Sequence, residues 1–178
     1  MKCEEFLENF EGRFKDQIER VKKVTEGLTD EDYGKEAEPG VWGIGHILGH
    51  LNISTESYIS PMEAAISGGA NDSGGEAKHT FFAGLIIGGM HRPNIPVPGS
   101  MMPSGTRSRA DLEKWLEITD KVLRLFEQAK GKDLVANQFK NPFLPIGRFN
   151  LMDGFEIIVE HTERHVRQME ERIGKIRG

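Results

Sequence analysis

Apolar residues recur every three or four positions over four stretches of the chain, and this periodicity predicts four helices. In the first, from about Cys3 to Gly27, Phe6, Phe10, Phe14, Ile18 and Val21 form one stripe. Gly27 suits a C-terminal stop. The second starts near Trp42 and runs to about Ser67, with Ile44, Ile47, Leu48, Leu51 and Tyr58 on its apolar side. Pro61 lies inside that pattern, where its missing N–H and its ring predict a kink or an interruption. The third opens at Ser108, whose hydroxyl can cap it with Asp111 three residues on. It carries Leu112, Trp115, Leu116, Val122, Leu123 and Phe126 to a stop near Gly131. The fourth is capped by Asn150, with Asp153 at the same offset, and runs through Leu151, Phe155, Ile158, Val159, Val166, Met169 and Ile173 to about Arg177. No strand pattern of any length and no internal repeat stands out. The expected fold is all-α: a four-helix bundle formed as one domain over residues 1–178.

Residues 68 to about 107 break the pattern. Gly, Pro and Ser are dense there, and RPNIPVPGSMMPSG holds four prolines. An irregular connection this long between the second and third helices is uncommon and tends to be functional. A roof over a site and a loose insertion are both open readings.

Composition narrows the class. The 178 residues are 37% hydrophobic and 29% charged, a soluble globular balance. The net charge of −5 argues against a general nucleic-acid face. The single cysteine, Cys3, excludes an intramolecular disulfide. The start MKCEEFLENF is acidic and has no apolar signal core. The apolar run from Phe81 to Met90 is broken by Gly84, Gly88 and Gly89 and is too short for a bilayer. The expected location is cytoplasmic, without membrane or nucleic-acid partners.

Six histidines carry the candidate chemistry: His46, His50, His79, His91, His161 and His165. His161 and His165, four apart on a helix, put both rings on one face about one turn apart, so one metal can accept both. Their face lies roughly 80–120° to one side of the fourth helix's apolar stripe, counting about 100° per residue. His50 lies roughly 100° to one side of the second helix's stripe by the same count. All three flank a core stripe and can line a cleft between two helices. Three neutral imidazoles leave coordination positions open, as catalytic metal sites do. His46 lies further round, which suits a histidine outside the ligand set. His79 and His91 stand in the irregular segment, where a surface position is the default.

These motifs resemble the DinB/YfiT-like metalloenzyme family. VWGIGHILGHL is similar to its second-helix motif through Trp42, Ile44, His50 and Leu51, and HTERHVRQ to its final helix through His161, His165 and Gln168. IPVPGSMMPS and NPFLPIGRFNLMDGF extend the similarity over most of the chain, from about Glu5 to Ile173. The resemblance implies a four-helix bundle with one divalent ion, zinc or nickel, held by His50, His161 and His165. It also implies transfer of a low-molecular-weight thiol to an electrophile, the activity of some relatives. A homodimer is implied too, with the first helix or the patch from Leu85 to Met90 as the contact.

An ion with an open position can acidify water for hydrolysis, polarise a carbonyl, or stabilise a thiolate. Hydrolysis calls for a general base, and Glu56 and Glu160 are the candidates in sequence; neither faces the histidines well. That favours a metal-dependent thiol transferase over a hydrolase, with a non-catalytic stress or sensor module as the third reading. Gln168, three residues past His165, and His46 are candidates to support the ligands from behind. Trp42 is expected to pack the bundle end. Arg164 and Arg167 are expected to be ordinary surface charges.

Overall fold

The computed structural model describes residues 2–90, 97–143 and 147–177. Its long helices are the four the periodicity predicts: α1 (Cys3–Thr25), α3 (Ile44–Ser67), α5 (Arg109–Ala129) and α6 (Leu151–Arg177). Between them lie two shorter ones, α2 (Asp30–Gly34) and α4 (Phe81–Met90). A two-stranded antiparallel ribbon, β1 (Gln138–Lys140) with β2 (Arg148–Asn150), pairs Phe139 with Phe149 just before α6. The fold is all-α apart from this ribbon. Among the described residues no helix is long and apolar enough to cross a membrane.

The predicted stripes meet in one core. α3 packs against α5 and α6, and α1 packs against α6 and α5. Phe126 of α5 stacks on Phe155 of α6 with ring centroids 4.3 Å apart, and Phe14 of α1 lies 6.3 Å from Phe126. Trp115, Leu48, Leu51, Ile118 and Val122 are buried around them. Each such side chain contributes about 1.5–3 kcal/mol by leaving water.

Helix starts follow their capping residues. Ser108 and Asp111 form the reciprocal box at α5. At α6, the Asn150 amide donates to Asp153 Oδ2 at 3.0 Å and the Asp153 amide donates to Asn150 Oδ1 at 2.8 Å. This box fixes where α6 begins, and therefore the register of the histidines further along. Gly27 and Gly131, both in left-handed backbone conformation, follow the ends of α1 and α5 as expected. Of the kink or interruption expected at Pro61, the interruption does not occur: α3 continues through it from Ile44 to Ser67, because packing against α5 and α6 offsets one lost hydrogen bond.

The connection from residue 68 to 107 is long, but it contains a helix. In α4, Ala83 and Ile87 are buried, while Phe81 and Leu85 stay 77% and 61% exposed. Packing against α6 outweighs the cost of three glycines. The start of α4 is tied to α6 through Asp153, which is fully buried and accepts from the Thr80 amide and hydroxyl. The return limb forms a single 3-10 turn at Gly99–Met101 and then crosses α3. Two glycines of α3 make room for it. A Cβ on Gly45 would come within 2.7 Å of the Arg107 Cβ, and one on Gly49 within 2.9 Å of the Pro103 Cβ.

Candidate metal centre

α3 delivers His50 and α6 delivers His161 and His165 to one point. His161 Nε2 lies 3.0 Å from His50 Nε2 and 3.1 Å from His165 Nε2. One ligand nitrogen from each ring falls within 4.8 Å of the others. His50 and His165 are buried, and His161 is half-buried.

The outer nitrogens decide what the inner ones can do. His50 Nδ1 lies 2.9 Å from the Met101 carbonyl oxygen. A carbonyl only accepts, so the proton is on Nδ1 and the neutral ring's Nε2 carries a bare lone pair. His165 Nδ1 lies 2.8 Å from the Gln168 amide oxygen, which imposes the same tautomer. Two lone pairs therefore point at His161 Nε2. That nitrogen can donate to one of them at most, so one contact near 3 Å has no proton in it. A shared cation removes the conflict. Two imidazole nitrogens about 2.1 Å from one ion, at angles of roughly 90–110°, stand about 3.0–3.4 Å apart. The observed spacings match, and the three residues fit a divalent metal.

Electrostatics keeps the rings neutral. Burial, then the charge of His50 and Arg164, pushes the pKa of His161 down to about 3. Burial first, then His161 and His50, holds His165 well below the ordinary 6.5. His50 is lowered as well, chiefly by burial. Neutral imidazole is the form that binds a metal.

The other candidates fall in varied places. Gln168 sits behind His165 as its hydrogen-bond acceptor. His46 is outside the cluster, and its buried Nδ1 has no hydrogen-bond partner among the described residues. His79 lies between Asp153 and Glu156, at 3.1 and 3.2 Å, and anchors the approach to α4 rather than the triad. His91 lies outside the described residues. Glu160 is paired with Arg13, and Glu56 with Lys114 and Lys121. Trp42 does pack at the start of α3, and its ring centroid is 5.3 Å from that of His50.

Two features differ from the sequence reading. Arg164 is half-buried and donates to the Met90 carbonyl at 2.7 Å. Three residues past His161 is the same helical face, so its charge lies by the triad and not on the outer surface. Met101, which sets the His50 tautomer, is not among the candidates the sequence offers. A backbone carbonyl has no residue signature; the available signal was the Gly45–Gly49 pair beside His46 and His50, which marks close passage of another segment.

Comparison with known proteins adds a family. The family model of the DinB superfamily matches residues 13–169. Neither the curated proteins nor the solved structures give a significant match. The matched span takes in α3 and all three clustered histidines and covers most of the sequence: the chain belongs to the DinB superfamily.

Proposed function

We propose that this protein is a metal-dependent enzyme that transfers a small thiol to an electrophile, with His50, His161 and His165 as ligands of one divalent ion, zinc or nickel. The observation that carries it is the convergence of three Nε2 atoms, two of them on rings, His50 and His165, whose outer nitrogens are fixed by Met101 and Gln168. A bound divalent ion supplies Lewis acidity there, lowering the pKa of a thiol or water that reaches its open positions. The chain's own groups then orient and enclose. Met101 and Gln168 lock the ring planes of His50 and His165, and the Trp42 ring walls one side of His50. In the reaction the S–H proton leaves to solvent, a C–S bond forms, and the electrophile's leaving group departs with its electron pair. Glu56 and Glu160 are engaged in ion pairs elsewhere. That supports thiol chemistry, which needs no carboxylate base once the thiolate is stabilised.

The test is metal analysis of untagged protein, followed by screening thiols with electrophiles against esters and amides, with and without chelator. About one metal per chain and chelator-sensitive S-transfer is the expected result. Turnover of esters or amides alone would make the protein a hydrolase. Full metal occupancy with no turnover in either screen would leave a binding module and sink the enzymatic reading.

A further inference from the structure

We infer that His79, held between Asp153 and Glu156, is a proton-dependent clasp that keeps the start of α4 on α6 and lets it go as pH rises. The clasp stands apart from the metal centre. Asp153 and Glu156 lie eight and five residues before His161, and His79 is on the segment that leads into α4.

The geometry calls for one proton more than a neutral ring supplies. Asp153 is fully buried, and the Thr80 amide, the Thr80 hydroxyl and the Asn150 amide all donate to it. His79 Nδ1 lies 3.1 Å from Asp153 Oδ1, so this nitrogen carries a proton and donates to the same carboxylate. In a neutral ring, Nε2 is then a bare lone pair. It faces Glu156 Oε2 at 3.2 Å. A carboxylate oxygen also offers only lone pairs, so the contact holds only with a second proton shared between Nε2 and Oε2. Once that proton passes to water, two lone pairs face each other and the contact breaks.

The surroundings favour the shared proton. The Glu156 side chain is 16% exposed. Burial first, aided by Glu160 and Asp153 and opposed by His79 and Arg13, raises its carboxyl above the ordinary value. Arg13 of α1 is bound to Glu160 at 2.6 Å, and Lys78, next to His79 in the chain, is exposed. The proton is therefore what joins Glu156 to His79.

α4 depends on such ties. It has ten residues with glycine at 84, 88 and 89, too short and too glycine-rich to be a stable helix alone. Its first turn hangs on Thr80: the Ala83 amide donates to Thr80 Oγ1 at 3.4 Å and the Gly84 amide to the Thr80 carbonyl at 3.1 Å. Thr80 and His79 are both bound to Asp153, so the clasp sits where the helix starts. At the other end, the Met90 carbonyl accepts from Arg164, three residues past His161. α4 thus lies along α6 from the clasp to the flank of the histidine cluster, and loosening its start frees Ala83 and uncovers α6 beneath it. The folded clasp binds a proton that the opened one does not hold. Its grip is full on the acid side and is lost as pH rises.

The experiment uses zinc-loaded full-length protein, in which the metal occupies the three clustered histidines. Amide hydrogen exchange at Ala83 and Gly84 is followed by NMR at about pH 5.5 and about pH 8.5, on either side of the ordinary imidazole range. Rates are corrected for the intrinsic effect of pH, with buried α5 amides as the reference. In wild type, protection at Ala83 and Gly84 should fall about tenfold at the higher pH, the scale of one charge-assisted hydrogen bond. Glu156→Gln should abolish the fall and keep protection at its acid-side level, because an amide can donate to a bare Nε2 or accept from a protonated one. His79→Gln should abolish it too, with protection low at both pH values. Equal protection at the two pH values in wild type, or a fall that persists in either variant, would overturn the inference.

Discussion

His50 Nδ1 donates to the Met101 carbonyl oxygen across 2.9 Å, a bond between residues 51 positions apart. A backbone group in the connection thus decides which nitrogen of a buried α3 histidine is left bare. The Gly/Pro-rich stretch is in this sense part of the site, and its placement depends on the small residues under it.

Gly49→Ala tests that dependence without touching a histidine. The new methyl group would meet the Pro103 Cβ at 2.9 Å and the Arg107 guanidinium. The crossing limb must shift, carrying Met101 with it. The protein should lose about 1–3 kcal/mol of stability, as overpacked sites do. Metal affinity should fall by about 10–100-fold, the usual effect of losing a partner behind a ligand. Isothermal titration with zinc, alongside urea unfolding, separates the two effects; unchanged zinc affinity would disconnect the limb from the site.

His161→Ala removes the ring that both other histidines approach, at 3.0 and 3.1 Å. The metal content of purified protein should drop from about one per chain to a small fraction, because two ligands on different helices hold zinc poorly. The helical circular dichroism signal should persist, since the α6 core residues are untouched. Full metal occupancy in this variant would remove His161 from the ligand set.

The sequence carried the long helices because each has a continuous apolar stripe and three have readable ends. It also carried the site, because HxxxH at helical spacing and a third histidine beside a stripe are local patterns. What it did not carry depends on contacts between distant segments. α4 is helical because α6 covers Ala83 and Ile87, and no propensity rule predicts a helix from FFAGLIIGGM. α2 follows from the Thr29–Asp32 capping box and burial of Tyr33, a signal present in sequence but too short to stand out. Arg164, expected as a surface charge, lies three residues past His161 and so on its face, and Met101 leaves no trace in sequence because a carbonyl belongs to every residue.

Gln168→Leu keeps the volume behind His165 and deletes the acceptor for its Nδ1–H. The imidazole then loses the bond that fixes its tautomer and plane. Metal affinity should fall by about 10–100-fold, and Gln168→Glu should restore it or exceed it, a carboxylate being the stronger acceptor. Competition with a chromogenic chelator measures both. If Leu and Glu behave alike, the contact has no part in tuning the ligand.

Acid should destabilise the metal-free protein through the same three rings. The folded state holds His161 at a pKa of about 3, with His165 and His50 also below the ordinary 6.5. Between those limits the unfolded chain binds more protons than the folded one, so stability rises with pH across that window. It is complete above about pH 6.5 and is lost as pH falls toward 3. Each histidine that stays neutral in the fold adds about 1.4 kcal/mol per pH unit to the slope. Urea midpoints of metal-free protein should therefore fall steeply from pH 6.5 to pH 4.5, and less steeply in His161→Ala. Zinc should raise the midpoint at pH 7, by an amount that grows with the logarithm of its concentration over Kd. That benefit should fade as protons compete for the same nitrogens. A metal-free protein with flat stability over this range would mean that the rings take up protons in place, and that the site is open enough to hydrate them.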